Sequence, residues 1–412
     1  MRSADVAWWR TITPRQWKAL LAAQVGWMLD AADVMLYAFA LTAIQAEFGL
    51  SSARAGALAS VTLVASACGG IAFGVLADRY GRARMLVVSV LVYSLFTGMT
   101  ATAQSVTQLV LWRALVGIGL GGEWTAGSVL VAETWPAAHR GKAIGLMQSG
   151  WAIGYILAAL LAALILPAYG WRPLFVVGVF PALFALWIRW SVPEPEAWLA
   201  RRGGTDRTVS MGALGRSPLL GRTAAATAMA TALLFAYWGL FTWVPAFLSS
   251  PAERGGAGLG LVRSSTWIVL MQVGAFFGYT SFGFLADRLG RRRVFVAFVL
   301  GAALLVPAYG LLARSETSLL LLGPLVGFFG HGYFSVFGAI LAEIFPAAVR
   351  ATAQGFCYNA GRAASAAAPF VIGGLADRFG IGSALATTSV FYLAGAVLVF
   401  LLPETRGKEL AP

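Results

Sequence analysis

Eleven residues, GVLADRYGRAR from Gly74 to Arg84, return 209 positions later as GFLADRLGRRR from Gly283 to Arg293. Each copy lies between two long apolar runs. Each crowds one carboxylate, an inner glycine and several arginines into a turn too short to be a domain. A charged turn recurring between membrane-length segments implies a membrane chain of two related halves, with the turn as a latch in each.

The surroundings of that repeat decide the solvent. Only 11% of the 412 residues are charged and 59% are hydrophobic, with a mean hydropathy of +0.77. A soluble chain carries about 25% charged residues. Several windows of roughly 20 residues hold few or no charges, the length that crosses a hydrocarbon core of about 30 Å. The 48 glycines also exceed the usual share of about 7%, and small residues let helices approach closely in lipid. The expected fold class is an all-α, polytopic membrane protein.

The net charge of +13 does not point to nucleic acid, because the positive residues occupy alternate loops instead of one patch. Cys68 and Cys357 lie in apolar runs, so no disulfide framework, metal site or cofactor is expected. The opening residues, MRSADVAWWR, lack the apolar core and small-residue cleavage site of a signal peptide.

Hydropathy predicts twelve spans, at 17–46, 55–77, 85–104, 107–132, 142–166, 172–191, 222–249, 262–286, 294–314, 317–342, 351–375 and 381–402. With both termini in the cytoplasm, 22 of the 30 Lys/Arg fall on the inner side and six outside. That asymmetry sets the orientation. The stretch 193–221 is the long polar linker between an N-terminal half, 1–192, and a C-terminal half, 222–412, its basic residues facing anionic lipid. Glu133 to Arg140 (ETWPAAHR) returns as Glu343 to Arg350 (EIFPAAVR), and Pro193-Glu194 returns as Pro403-Glu404, both at an offset of 210. The halves therefore form a parallel six-plus-six repeat. A third latch-like run, Gly374 to Gly380, falls outside and lacks the arginines that follow the other two, so it is expected to be a plain outer turn.

These motifs resemble the major facilitator superfamily over nearly the whole chain. The two latches are similar to its signature between helices 2–3 and 8–9. Arg113 to Gly119 (RALVGIG) resembles the helix-4 signature of proton-coupled members. The half-endings at Pro193 (PEPEAWL) and Pro403 (PETRGK) resemble the sugar-porter-like branch. Gly121 to Trp124 (GGEW), Val131 to Pro136 (VAETWP) and Asp30 to Asp33 (DAAD) resemble the sialate/lactate and aromatic-acid:proton symporters. Ala31 stands where those relatives often carry glycine. The resemblance implies the twelve-helix major facilitator fold.

An ionised group near the bilayer centre costs roughly 2.5–3.5 kcal/mol even on a lenient scale, so such groups are functional candidates. Asp30, Asp33, Arg113, Glu123 and Arg362 qualify, with His331 as a polar companion. A rise of about 1.5 Å per residue puts Asp33 and Arg113 both about 20 Å from the inner face, able to meet, with Asp30 one turn below Asp33. Asp33 is expected to carry the coupling proton under the influence of Arg113, the alternative being a static pair bracing helices 1 and 4. Asp30 is a second proton site or a polar neighbour. Glu123 braces helix 4 or takes part in transport.

Arg362 lies near the midplane with no acid of spans 7–12 at its depth. It calls for an anion, or for Asp30 or Asp33 across the cavity. The resemblance implies the first, since a helix-11 arginine binds substrate in organic-anion branches. Tyr358 shares its face and Asn359 is adjacent. Gln148, Trp151, Tyr155, Tyr237, Trp238, Gln272, His331 and Tyr333 are further candidates to line the cavity. Asp78, Arg82, Glu133 and Arg140 in one half, and Asp287, Arg291, Glu343 and Arg350 in the other, are the expected inner gate.

The function expected is proton-coupled import of a small carboxylate by a monomer in the bacterial inner membrane, with no enzymatic constellation, no metal and no P-loop. The partners are the small anionic substrate, the proton and membrane lipid. A proton-coupled sugar or polyol porter, an exporter of metabolites or drugs, and a sensor without flux stand as alternatives.

Overall fold

The computed structural model describes residues 8–136, 139–191, 194, 214, 217, 219–312, 315–335, 340–341, 344–345 and 350–404. Helices occupy every expected span, and no strand occurs among the described residues. The first five spans are single helices: α1 (Pro14–Phe48), α2 (Ser52–Tyr80), α3 (Arg82–Thr100), α4 (Val106–Thr134) and α5 (Arg140–Tyr169). Four later rods are broken into α6 (Trp171–Val177) and α7 (Pro181–Ser191), α8 (Leu219–Phe241) and α9 (Val244–Ser249), α13 (Arg350–Ser365) and α14 (Ala368–Phe379), and α15 (Ile381–Thr387) and α16 (Ser389–Leu398). Between them stand α10 (Leu261–Leu289), α11 (Arg291–Pro307) and α12 (Glu316–Gly332). Eight described stretches are long and apolar enough to cross a bilayer on those grounds alone.

The breaks follow from local chemistry. Pro181, Pro245 and Pro369 each stand at the start of the second segment of a rod. A proline lacks the N–H that would bond four residues back, and its ring clashes with that carbonyl. Pro307 ends α11 in a π-turn at Ala308–Leu312 for the same reason. Between α15 and α16 the Thr388 hydroxyl instead donates to the Leu385 carbonyl, 2.7 Å away.

Each latch turns the chain with one residue. Gly81 separates α2 from α3 at φ +113°, and Gly290 separates α10 from α11 at φ +96°. A side chain is strained at that φ, which is why both copies place glycine there. The half-ending motifs then return to these turns. The Glu194 carboxylate accepts from the backbone N–H of Ala83 (3.2 Å) and Arg84 (3.1 Å). The Glu404 carboxylate accepts from that of Arg292 at 3.4 Å. Each acid thus caps the helix that follows its latch, where free N–H groups and the helix dipole favour negative charge. Glu194→Ala is expected to cost about 1 kcal/mol, the usual worth of a cap, seen as a lower unfolding midpoint in detergent, with Glu194→Gln intermediate. An unmoved midpoint would deny the cap its role. Of the expected inner gate only the half-buried Arg291 is described; Asp78, Arg82, Glu133, Arg140, Asp287, Glu343 and Arg350 lie outside the described residues or side chains.

Small residues set the packing. A Cβ on Gly121 would lie 2.0 Å from the Ser66 carbonyl oxygen, and one on Gly69 would lie 2.1 Å from that of Ile118. Helices α2 and α4 therefore touch backbone to backbone. Large apolar side chains face outward instead, Leu164, Leu304 and Leu312 being more than 70% exposed, as a lipid-facing surface requires.

The expectation of a plain outer turn at Gly374–Gly380 is corrected. The Asp377 carboxylate accepts from the backbone N–H of Ser52 (3.1 Å) and Ala53 (3.0 Å), capping α2 from the other half of the chain. This end of the bundle, opposite the latches, is clasped shut across the two halves.

Candidate functional site

The rods enclose a central chamber at mid-depth. Its lining includes Asp30 and Trp27 from α1, Ser66 from α2, Arg113 from α4, Trp151 from α5, Trp238 from α8 and Arg362 from α13. Both halves contribute, so the chamber changes shape if they rock. The surrounding aromatic and small side chains are buried, and the chamber's charged groups are at most 4% exposed.

Asp33 and Arg113 meet, as their depths require. Arg113 Nη1 stands 3.8 Å from Asp33 Oδ2, with both side chains 1% exposed. That separation is ionic contact without a hydrogen bond, and neither atom has a hydrogen-bond partner. The other carboxylate oxygen of Asp33 accepts from the Thr97 hydroxyl of α3. The Arg113 guanidinium also lies over the Tyr37 ring, 5.1 Å from its centroid. Asp33 is not among the residues lining the chamber; it faces α3 and α4, while Asp30, one turn away, faces the chamber with Oδ1 lacking a partner. Helix geometry explains the division, since positions three apart differ by about 60° around the axis.

Glu123 occupies the same buried layer. Both its carboxylate oxygens lack partners, and Oε1 lies where a Cβ on Gly26 would be, 1.8 Å from that position. The glycine of α1 makes room for the acid of α4. Glu123 belongs to the contact between the helices and is absent from the chamber lining.

Arg362 is the most telling group. It is 4% exposed, lines the chamber, and donates from Nη1 to Ser66 Oγ at 2.7 Å, reaching across to the other half. Its guanidinium lies over the Tyr358 ring at 5.2 Å. Nε has no hydrogen-bond partner, and among the described residues no carboxylate stands within ion-pair distance. Tyr358 itself stacks on Trp124 of α4 at 4.1 Å and 21°, forming an aromatic floor between the halves on the latch side.

Several expected cavity residues are corrected to packing or bracing positions, because the rotation of each helix turns them aside. Tyr333 sits among Phe295, Phe334 and Tyr392, its hydroxyl directed at the Leu233 carbonyl. His331 lies between the Tyr237 hydroxyl (3.3 Å) and the Gly327 carbonyl (3.1 Å). Tyr237 accepts from the Trp151 indole, and Tyr155 donates to the Phe241 carbonyl at 3.0 Å, so both stitch the halves together near the chamber. Gln148 accepts from the Trp124 indole at 3.2 Å. Asn359 donates to the Gly355 carbonyl and packs on Gly70. Gln272 is fully buried with neither amide atom partnered, away from the chamber lining. Of the expected groups, Asp30, Arg113, Trp151, Trp238 and Arg362 line it.

Sequence reasoning missed Trp27 and Ser66. Trp27 stands three positions before Asp30 on the same face, a spacing the sequence displays. Nothing local marks Ser66, which matters only once α2 and α13 are brought together.

Comparisons with known proteins agree with this architecture. The family described as Major Facilitator Superfamily matches residues 25–281 and 257–412. The chain is 36% identical over 406 residues to a probable 4-methylmuconolactone transporter of Cupriavidus pinatubonensis, covering 97% of this chain and 94% of that one. It is 34% identical over 399 residues to a cis,cis-muconate transport protein of Acinetobacter baylyi, covering 95% of each. Among solved structures, the proton:xylose symporter XylE bound to 6-bromo-6-deoxy-D-glucose superposes with a TM-score of 0.75 at 19% identity, over 96% of this chain and 98% of that one. That likeness is one of fold.

Proposed function

The chain belongs to the Major Facilitator Superfamily, and we propose that it imports a small organic carboxylate together with a proton across the bacterial inner membrane. As a member of that family it is a multi-pass membrane transporter and not an enzyme, and its relatives carry organic acids. The observation that carries the finer reading is Arg362: a buried guanidinium facing the chamber, with no carboxylate paired to it among the described residues. Asp30 of the same chamber feels that charge without touching it, and a substrate carboxylate fits the planar fork directly. A neutral sugar would leave that fork without an anion in contact, which weighs against the sugar-porter reading.

The proton site in this reading is Asp33 with Arg113. Their contact is close enough for each to feel the other, yet without a hydrogen bond, so a small helix movement changes which charge state is favoured. The cycle begins outward-open, with Asp33 protonated and the anion entering towards Arg362. Rocking of the halves breaks the Asp377 clasp or the Trp124–Tyr358 floor in turn, and release inside follows proton loss. The latches face the cytoplasm, as does the basic linker, and the protein works as a monomer.

Proteoliposomes test this directly. With the exterior acidic, added carboxylate is expected to accumulate inside above its external concentration, with internal acidification reported by an entrapped dye. Uptake that proceeds equally without a proton gradient, or acidification driven by sugars and not by carboxylates, would overturn the reading.

A further inference from the structure

Three indoles line the chamber, and they differ in what their N–H groups do. Trp151 donates to the Tyr237 hydroxyl. Trp27 and Trp238 also line it, both are buried, and the Nε1 of each has no hydrogen-bond partner among the described residues. Trp27 lies against Trp151 at 4.6 Å, and Trp238 meets Trp151 edge-on at 5.9 Å. The three rings thus make one continuous wall, with Trp27 from α1 and Trp238 from α8 on either side of Trp151. Indole nitrogen can only donate. Buried donors in native proteins find acceptors nearly always, and the chamber's own oxygens do not serve here: Asp30 Oδ1 is equally without a partner.

We propose that Trp27 and Trp238 form the second half of the substrate site, their N–H groups taking a hydrogen-bond acceptor that the transported acid carries besides the carboxylate held at Arg362. The inference rests on the carboxylate reading of Arg362 and adds the chemical class: a flat, unsaturated acid with a second acceptor, such as a ring hydroxyl, a ring nitrogen, a carbonyl or another carboxylate. The indole faces supply a surface against which a planar skeleton packs. The N–H pair supplies selectivity, because a site built around buried donors rejects an analogue that leaves them without an acceptor far more strongly than a greasy pocket rejects a missing methylene. A second consequence follows from the placement. One donor belongs to each half, so an acceptor between them, like a carboxylate between Arg362 and Ser66, favours the closed chamber over either open one.

The test is isothermal titration of the purified protein with matched acids: benzoate against 2-, 3- and 4-hydroxybenzoate, and sorbate against trans,trans-muconate, which differs from it in carrying a terminal carboxylate for a methyl. At least one two-acceptor acid is expected to bind about ten-fold or more tighter than its one-acceptor partner. Trp27→Phe and Trp238→Phe, which keep a flat ring and delete the N–H, are each expected to shrink that ratio, and the double variant to bring it within about two-fold. Equal affinity of the wild-type protein for both members of every pair would overturn the proposal without any variant being needed. So would a double variant that folds and keeps the full ratio. If instead the wild-type protein binds none of these acids, or Arg362→Ala binds them all undiminished, the carboxylate reading itself has failed and this inference falls with it.

Discussion

Arg362→Ala is expected to abolish saturable carboxylate uptake, with binding weakened more than a hundred-fold while the protein still purifies folded, with the elution profile of the wild type. The size of the effect comes from burial. Truncating one partner of a buried, charge-assisted contact costs roughly 2–5 kcal/mol, and about 3 kcal/mol is more than two decades in affinity. The guanidinium is 4% exposed and its hydrogen bond is to Ser66, a neutral hydroxyl. Removing it breaks no ion pair in contact among the described residues, Asp30 feeling its charge only from further off, which is why folding should survive while anion binding does not. Arg362→Lys is expected to recover only part of the loss, because an ammonium on a flexible stem cannot present two parallel N–H groups. It also cannot hold Ser66 and a substrate at once from the same geometry. Ser66→Ala should cost far less, since it removes an orienting contact and keeps the charge. Uptake and counterflow measured in proteoliposomes, with binding measured in detergent, check all three. Carboxylate uptake by Arg362→Ala at the wild-type rate and affinity would place the anion elsewhere.

Much of this architecture is legible in the amino-acid sequence, for physical reasons. Charge is so costly in lipid that the apolar windows mark the rods, and the offsets of 209 and 210 mark the repeat. Depth along a helix follows from its rise, so Asp33 and Arg113 can be set at one level, and they stand 3.8 Å apart. Rotation about the axis is another matter. Tyr333 and Gln272 lie at plausible depths but turn away from the chamber, because the stripes of small residues that fix which faces meet, such as Gly69 with Gly121, become readable only when both partners are known. The same holds for Asp377. Its sequence context resembles a latch without the arginines that follow the glycine, yet its carboxylate finds the free N–H groups of α2 across the molecule, a pairing without any local signal. Glu194 and Glu404 stand out as repeated landmarks, and only the fold shows that each caps the turn of its own half.

Asp33→Asn is expected to separate movement of substrate from the work of concentrating it. The carboxamide keeps the size of the side chain and can still receive the Thr97 hydroxyl that Asp33 accepts, but it carries no exchangeable charge. If Asp33 is the coupling acid, substrate exchange across a vesicle with no gradient continues, while accumulation against a concentration gradient disappears and uptake stops responding to external pH. The wild-type protein should instead take up more substrate as the exterior becomes more acidic, since loading requires the protonated acid. Arg113 sharpens the expectation. With Asp33 neutral for good, its guanidinium at 1% exposure keeps only Tyr37 beneath it, so Asp33→Asn should also unfold more readily than the wild type. Asp30→Asn should do so less, because among the described residues no cation stands within ion-pair distance of Asp30 and Arg362 acts on it only from further off. The comparison of these two neighbours divides the roles of the acid that faces the chamber and the acid that faces Arg113. Should Asp33→Asn still concentrate substrate when a proton gradient is imposed, and Asp30→Asn fail to, the proton travels on Asp30 and the buried pair is a brace between α1 and α4.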